Sequence, residues 1–312
     1  MRNKEKNFIS AVIYVHNNEN TIADFISHII DFLEVNFEKS EIICVNDFSN
    51  DASVKKIKEV GKQCDSTAIS ILNMSSFHGL ETAMIAGVDL SIGDFVFEFD
   101  KVVRDFSMDE VMQVYYKALE GFDIVSASPN TPIRGSSAIF YNIFNKYTNT
   151  GKILSSETFR ILSRRVINRI SSNSKTIPYR KAIYANCGLK VFNMKYDALT
   201  ICKKRKSSQE KMYRKNLAID ALIIFTNLGF NVSMMMTTIM LFVALFMMIY
   251  SMLIYITKNP VAGWTTTILF LSLGFFMLFA ILTVVIKYLQ IIVDLIFKHK
   301  NYNIEDIEKI TK

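Results

Sequence analysis

Apolar and polar positions follow two alternating periodicities in the first part of the chain. Residues 8–15, FISAVIYV, are almost all apolar and rich in β-branched residues, which predicts a buried strand. The next segment, NTIADFISHIIDFLEVNF, repeats apolar residues at helical spacing and predicts a helix. The alternation continues through the segments SEIICVND, DASVKKIKEVGKQC, TAISILNM, GLETAMIAGVDLSI and DFVFEFD. Strands that alternate with helices predict an α/β domain with a mostly parallel sheet.

Polar residues follow several of these predicted strands directly. Ligands bind parallel α/β sheets in the crevice outside the carboxyl ends of the strands. That rule selects residues 16–19 (HNNE), the pair Asn46 and Asp47, and Asp100 as candidate binding residues.

A different pattern begins late in the chain. Between Val232 and Ile256, and again between Trp264 and Ile286, the sequence carries no charged residue. Each run exceeds the ~20 residues that cross a hydrocarbon core of about 30 Å. A buried soluble helix is the alternative, but two uniformly apolar helices would find nothing large enough to bury them. The short connection TKNPVAG therefore predicts a transmembrane hairpin over residues 232–286.

Basic residues predict the orientation of this hairpin. Lysines and arginines crowd residues 203–215 and recur after the second run, whereas the connection carries only Lys258. The positive-inside rule places both flanks in the cytoplasm, and the amino-terminal apolar run is too short for a signal peptide. We therefore expect an integral, multi-pass membrane protein with a cytoplasmic catalytic domain, in a bacterial inner membrane.

The chain is predicted to divide into four parts. An α/β domain covers residues 1–202, and a basic, amphipathic segment over 203–231 is expected to lie on the membrane surface, with an ordinary packed helix as the alternative. The two spans cover 232–286, and a cytoplasmic membrane-edge helix and tail cover 287–312.

Composition narrows the range of partners. The four cysteines are scattered with no CxxC pair, which argues against a zinc site or a disulfide framework. The net charge of +7 is modest. A basic segment beside a membrane hairpin indicates contact with anionic lipid rather than with nucleic acid.

Five segments resemble, in order, those of the family 2 glycosyltransferases with a GT-A fold. SAVIYVHNNENTI is similar to the opening strand and its Asn-Glu turn, and EIICVNDFSNDAS stands where the family has an Asp-Asp-Gly-Ser-x-Asp turn. GLETAMIAGVDLSIGDFVFEFD resembles the helix and strand leading to the metal motif, SETFRILSRRVI the Phe-Arg-Leu segment, and KYLQIIVDLIFKHKNYNI the closing membrane-edge helix. Together with the two spans, this order resembles the polyprenyl-phosphate glycosyltransferases of the dolichyl-phosphate-mannose-synthase type.

The resemblance implies transfer of a sugar from a nucleotide-sugar to polyprenyl phosphate at the cytoplasmic membrane face, in cell-envelope polysaccharide synthesis. Glu19 and Asp47 are expected to accept hydrogen bonds from the base and ribose, with Asn46 in place of the first acid of the turn. Asp51 either contacts the donor or caps the following helix. The family often assembles through its membrane helices, so a homo-oligomer is one expected state.

The metal motif departs from the family pattern. In the family, Asp-x-Asp holds a divalent cation that neutralises the diphosphate leaving group. Here Asp100 matches the first acid, but Lys101 and Val102 follow, so Asp100 alone is a weak site for Mg²⁺ or Mn²⁺. Lys101 is predicted to offset the diphosphate charge directly. Glu157, the one acid just before Phe-Arg, is the third candidate catalytic residue.

The acceptor phosphate calls for cations rather than for a base. A polyprenyl monophosphate is already anionic at pH 7, because the second pKa of such phosphoryl groups lies near 6. It needs positioning more than deprotonation. The candidate residues that bind the lipid phosphate and the donor diphosphate are Arg134, Arg160, Lys203, Lys204 and Arg205.

Three interpretations remain open on sequence alone. The first is an active transferase, and the second is a non-catalytic relative that keeps the fold and serves as a membrane-bound partner or lipid-binding subunit. The third is a membrane-anchored protein with a different nucleotide ligand, for which no GxxxxGK[ST] or GxGxxG loop is present.

Overall fold

A computed structural model describes most of the chain before the predicted spans. The described residues are 4–64, 66–132, 135–147, 154, 156–173, 179–199, 208–226 and 304–309, with isolated helical positions between 235 and 292.

Eight strands and eight helices make up the described structure. The strands are β1 (Ile9–Val15), β2 (Ser40–Asn46), β3 (Ala68–Met74), β4 (Phe95–Phe99), β5 (Ile124–Pro129), β6 (Phe159–Ser163), β7 (Val191–Tyr196) and β8 (Ile304–Lys309). The helices are α1 (Ile22–Asn36), α2 (Ser53–Gly61), α3 (Leu80–Leu90), α4 (Met108–Leu119), α5 (Ser136–Tyr147), α6 (Arg164–Asn173), α7 (Arg180–Asn186) and α8 (Ser208–Phe225).

The strands form one mixed sheet in the order β7-β5-β6-β4-β1-β2-β3-β8. Strands β4, β1, β2 and β3 run parallel, as do β5 and β7. Strand β6 is antiparallel to both of its neighbours, and β8 is antiparallel to β3. The predicted α/β fold with a largely parallel centre is confirmed, and the antiparallel strands are additional to that prediction.

Strand β1 is buried on both faces, which explains why nearly all of its residues are apolar. Ile13 packs in one core with α1 and α4, and Val12 packs in a second core on the opposite face with α3 and α6. Helix α3 approaches the second face closely at Gly87, where a Cβ atom would lie 2.5 Å from side-chain carbons of both Val12 and Val45. Glycine at this position therefore sets the helix-to-sheet distance.

Aromatic rings fix the end of β4. Phe99 stacks on Phe106 and Phe159 at centroid distances of 6.0 and 5.9 Å, and Phe25 meets it edge-on at 5.6 Å. Val102 is 1% exposed and belongs to the same core. The residues between Phe99 and Val102 are therefore anchored at both ends.

The carboxyl-terminal tail contains a strand that the sequence analysis did not predict. Residues 287–312 were expected to form a membrane-edge helix and tail, but β8 joins the open edge of β3. Lys58 on α2 forms an ion pair of 2.5 Å with Glu308. Four of the six residues of β8 are charged, which suits a strand at the edge of a sheet.

The predicted membrane segments fall largely outside the described residues. Among the residues that are described, no helix is both long enough and apolar enough to cross a membrane. Residues 203–207 of the predicted interfacial segment also lie outside this set, whereas 208–225 form α8. Leu217 and Ala221 of α8 pack with Phe144 of α5 and Ala182 of α7.

Candidate active site

The carboxyl ends of the four central parallel strands lie at one edge of the sheet. The amino end of the antiparallel strand β6 meets them there, because Phe159 pairs with Phe99. The loops that carry residues 16–19, 46–51, 75–79, 100–105 and 157–158 therefore converge, as expected for a binding site of an α/β sheet.

Asp47 holds the loop before α3 in place. It is fully buried, and its Oδ1 accepts from the backbone N–H of His78 at 2.8 Å. Its Oδ2 accepts from the N–H of Gly79 at 2.8 Å and from the Tyr14 hydroxyl at 2.9 Å. Burial, followed by the charge of Asp47, raises the pKa of Tyr14 and keeps this hydroxyl a donor. The predicted contact of Asp47 with the donor stays a prediction, and the structure gives its carboxylate a positioning role.

Asn46 belongs to a chain of amides that reaches the tail strand. Its Nδ2 donates to Asn73 Oδ1 at 2.9 Å, and its Oδ1 accepts from the N–H of Ser49 at 3.2 Å. Asn73 in turn donates to Asp306 Oδ1 on β8 at 2.5 Å. A neutral amide fits here, because it can donate to one neighbour and accept from another, which an ionised acid cannot do.

Glu19 and Asp51 join the first two loops. Asp51 accepts from the N–H of Glu19 at 2.9 Å and from that of Ser53 at 3.0 Å, and Glu19 Oε2 accepts from the N–H of Ala52 at 3.1 Å. Burial opposes ionisation of Asp51, but the hydrogen bonds from Ser53 and Glu19 outweigh it and lower its pKa. Asp51 thus bonds to the first residue of α2 from just outside the N-cap position, which is Ala52. Its capping role and the donor contacts of both acids stay predictions.

Phe48 occupies the position of the glycine in the Asp-Asp-Gly-Ser-x-Asp turn with which this segment was compared. Its φ is +55°, in the left-handed region that glycine adopts without strain, and its side chain is 46% exposed. For a bulky residue this conformation costs roughly 1–2 kcal/mol.

Buried charges surround the end of β4 in a group that we call the arginine–carboxylate cluster. Its members are Glu81, Glu98, Asp100, Glu157, Arg160 and Arg180.

The two arginines of this cluster bridge the same two acids. Arg160 donates through Nη1 to Glu98 Oε2 at 2.7 Å and through Nη2 to Asp100 Oδ2 at 2.9 Å. Arg180 donates through Nη1 to Glu98 Oε1 at 2.6 Å and through Nη2 to Asp100 Oδ1 at 2.7 Å. All four oxygens of Glu98 and Asp100 are therefore engaged by guanidinium groups.

Outer contacts complete the cluster. Arg160 Nε donates to Glu157 at 3.1 Å, Arg180 Nε donates to Glu81 at 3.1 Å, and the Tyr184 hydroxyl donates to Glu98 at 2.9 Å. Burial opposes ionisation of Asp100, but Arg160 and Arg180 hold its pKa well below the ordinary value. The carboxylate is therefore ionised at neutral pH, and both of its oxygens are paired.

The donor set at Asp100 does not fit a divalent cation. Mg²⁺ and Mn²⁺ need several free oxygen ligands, and both oxygens of Asp100 already accept from arginines. Within the part of the chain that the structure describes, no group of three His, Cys, Asp or Glu side chains could hold a metal ion.

Arg160 lies deeper than expected of a phosphate-binding residue. It is 0% exposed, and its guanidinium is taken up by three carboxylates. Glu157, predicted as catalytic, is half-buried and pairs with Arg160. Arg134, Lys203, Lys204 and Arg205 lie outside the described residues, so their predicted roles stay predictions.

Lys101 points away from the core while Val102 fills it. Lys101 is exposed, and Val102 is 1% exposed. Partial desolvation lowers the pKa of Lys101, Asp105 opposes this shift, and the nearby charges of Lys181 and Arg214 add to it. Lys181 on α7 donates to the Glu157 carbonyl oxygen at 3.4 Å. We call Lys101 and the two cations whose charges lower its pKa, Lys181 and Arg214, the basic trio.

Helix α8 covers one side of this edge. The ring of Tyr213 lies against Gly79, whose φ is +83° and where an added Cβ would overlap the ring. Tyr213 also meets Phe77 edge-on at 5.9 Å. The contact brings Arg214, the next residue, towards the site.

Sequence reasoning did not find Glu81, Arg180, Lys181, Tyr184 or Arg214. For Arg180, Lys181 and Tyr184, the sequence offered one indication, the segment YRKAIY, in which two basic residues stand among uncharged ones. Charges in such a context are usually paired when they are buried.

Comparisons with known proteins agree with this architecture. Residues 10–101 match the family model described as Glycosyl transferase family 2. The chain is 27% identical over 233 residues to an uncharacterized glycosyltransferase, sll0501, of Synechocystis sp., covering 72% of this chain and 71% of that protein. It is 27% identical over 278 residues to the bactoprenol glucosyl transferase of Shigella phage SfV, covering 85% of this chain and 88% of that protein.

A solved structure shows the same fold at low identity. The mannosyltransferase PcManGT from Pyrobaculum calidifontis, in complex with GDP-Man and Mn²⁺, aligns with a TM-score of 0.50 and 12% identity, over 69% of this chain. This chain spans 63% of the length of that protein. The likeness supports the predicted GT-A fold. Residues 10–101 are thus similar in sequence to glycosyl transferase family 2, and this match, the relatives and the fold together support a glycosyltransferase.

Proposed function

We propose that this protein transfers one sugar from a nucleotide-sugar to a polyprenyl phosphate at the cytoplasmic face of a membrane. The observation that carries the proposal is the likeness to a bactoprenol glucosyl transferase, which extends over 85% of the chain and not only over the family match. In this reaction a phosphate oxygen of the lipid attacks C1 of the sugar. The bond from C1 to the nucleoside diphosphate breaks, and the diphosphate leaves.

The donor is assigned to the edge formed by β1, β2 and β4. Glu19 and Asp51 are half-buried there, while Asp47 and Asn46 fix the loops around them. We assign the base and ribose to this side, where carboxylate and amide groups offer acceptors and donors at the ends of the strands.

The diphosphate is assigned to the basic trio. The leaving group gains negative charge as the bond to C1 breaks, and nearby cations stabilise that charge in the transition state. Lys101 is exposed beside the end of β4, and Lys181 and Arg214 lie near it. A nearby ammonium or guanidinium group offsets charge without a metal ion.

The acceptor phosphate is assigned to the basic segment that precedes and begins α8. Lys203, Lys204 and Arg205 precede this helix in sequence, and Arg134 precedes α5 in sequence. Lys211 and Lys215 are exposed on α8 itself. Juxtamembrane cations of this kind attract anionic lipid headgroups.

Two observations support a membrane hairpin over residues 232–286. Described helical positions within the predicted spans expose large apolar side chains, among them Phe242, Phe246, Leu278 and Leu282 at 47–67%. Exposed apolar surface of this kind marks contact with a membrane or a partner. In addition, α8 before the spans and β8 after them both pack on the α/β domain, so the intervening chain must return to the side it left.

The test is a transfer assay. Membranes that contain the protein would be incubated with single nucleotide-sugars and undecaprenyl phosphate, and the lipids would be analysed by mass spectrometry. We expect one donor to give a product heavier than the acceptor by one sugar residue. Membranes without the protein serve as the control, and absence of product with every donor would contradict the proposal.

A non-catalytic, lipid-binding role is the second candidate. The full pairing of Asp100 favours it, because the position of the first metal-motif acid serves the internal structure. Binding of a nucleotide-sugar and of polyprenyl phosphate without turnover would support this role over the first.

A further inference from the structure

The arginine–carboxylate cluster occupies the place at which a metal-dependent enzyme of this fold would need free acids. Glu98 lies on β4 and Asp100 directly follows this strand, two residues later, so their carboxylates face the same side of the sheet. Arg160 bridges one oxygen of each acid, and Arg180 bridges the other oxygen of each. The result is a closed ring of two carboxylates and two guanidinium groups.

This ring is closed to cations for three reasons. Both arginines are at most 1% exposed, and arginine does not lose its proton in proteins. A divalent cation at Asp100 would have to displace at least one guanidinium and leave it buried without a partner, which is strongly unfavourable. The remaining positive charges would also repel the cation at short range.

The charge needed at the diphosphate is available elsewhere. Asp100 directly precedes Lys101, and the ring fixes Asp100 while Val102 anchors the other side of the lysine in the core. Lys101, an exposed residue, is thereby held between two rigid positions, and the charges of Lys181 and Arg214 act on its ammonium group.

We propose that this protein binds its nucleotide donor without a divalent cation, with Asp100 as a positioning residue held by Arg160 and Arg180 and with Lys101 as the direct contact to the diphosphate. The part of the proposal that concerns the donor rests on the proposed function. The part that concerns the cation rests on the geometry of the ring alone.

The first test uses Mn²⁺ itself and needs no substrate. The full chain in detergent would be titrated into Mn²⁺, and the free ion would be followed by electron paramagnetic resonance. We expect the signal of free Mn²⁺ to persist when one equivalent of protein is added. With UDP or GDP present, the signal should fall only by the amount that the nucleotide alone binds. Stoichiometric uptake of Mn²⁺ by the protein would overturn the proposal.

The second test measures binding of UDP and of GDP by calorimetry in EDTA and in Mn²⁺. We expect the dissociation constant of the better nucleotide to differ by less than about threefold between the two buffers. A nucleotide that binds only in Mn²⁺ would overturn the proposal. If neither nucleotide binds in either buffer, both the assignment of a UDP or GDP donor and the contact of Lys101 with its diphosphate are wrong. The Mn²⁺ titration still decides whether the protein binds a divalent cation.

Matched lysine variants test the direct contact. Lys101→Met is expected to weaken nucleotide binding about tenfold and to reduce its salt dependence. Lys55→Met, an exposed lysine on α2, is expected to leave binding unchanged. Equal effects of the two variants would remove Lys101 from the site. Transfer that is abolished by EDTA would leave the proposed function standing and would contradict cation independence.

Discussion

At the scale of single residues, Phe48 carries a conformational cost that its neighbours impose. Phe48 has a φ of +55° and stands between two fixed neighbours. The side chain of Asp47 accepts three hydrogen bonds, and the N–H of Ser49 donates to Asn46. Strain of this kind persists where the surrounding structure determines the backbone.

Phe48→Gly is therefore expected to raise the free energy of unfolding by roughly 0.5–1 kcal/mol, since relief of the left-handed strain exceeds the entropy that glycine adds to the unfolded chain. Phe48→Ala removes the same ring but keeps the Cβ atom, so it should give no such gain. Thermal unfolding of the full chain in detergent would compare the two, and equal melting temperatures would contradict the role of φ.

Substitution of a buried arginine and of an exposed arginine, each paired with carboxylates, should lower the stability of the protein by very different amounts. Arg180→Met leaves Glu98, Asp100 and Glu81 short of a buried counter-charge and is expected to cost about 3–5 kcal/mol of stability. Arg165 also pairs with an aspartate, Asp123, at 2.5 Å, but its side chain is 65% exposed. Arg165→Met should change stability little, because surface ion pairs contribute little. Similar unfolding midpoints for both variants would show that the cluster does not support the fold.

The same cluster predicts an acid-sensitive fold. The pKa of Asp100 is lower in the folded protein than its ordinary value of 3.8, so between these values the unfolded chain binds more protons. The stabilising contribution of Asp100 is thus present above pH 3.8 and is lost as the pH falls below it. Unfolding followed from pH 6 to pH 2 should show this loss, and a flat profile below pH 4 would exclude it.

At the scale of elements, local sequence pattern predicted the strands and helices whose apolar residues match their own burial. The apolar run of β1 and the helical spacing of α1 each report the environment of the element itself. The pattern of β4 also placed Glu98 and Asp100 on one face. It could not supply their partners, because Arg160 and Arg180 lie 60 and 80 positions from Asp100 in sequence and meet it only through the antiparallel return of β6 and the start of α7.

Strand β8 was not predicted, because its pattern, IEDIEK, has charges at the positions that a buried strand would make apolar. Its conformation follows from the free edge of β3, which offers unpaired backbone groups. Removal of residues 304–312 is expected to speed amide hydrogen exchange in β3 and to promote aggregation, whereas removal of 310–312 alone should do neither. Unchanged exchange in β3 after the longer deletion would show that β8 does not pair with it.

At the scale of the whole molecule, the contacts of α8 and β8 with one domain predict the topology. An alkaline phosphatase fused after Lys312 is expected to be inactive, and one inserted in the connection 257–263 is expected to be active, because phosphatase folds only outside the cytoplasm. A fluorescent protein after Lys312 provides the converse readout. An active phosphatase at Lys312 would place the tail on the opposite side of the membrane from the α/β domain.

The pairing of β8 with β3 also has a consequence for biosynthesis. Asn73 and its partner Asp306 are 233 positions apart, and the predicted spans lie between them. On the ribosome, β3 therefore keeps an open edge until residues 304–309 have been made, after both predicted spans. A chain that stalls before β8 keeps that edge open, and open edges promote strand-to-strand aggregation. The sheet can therefore close at β3 only after the predicted spans have already left the ribosome.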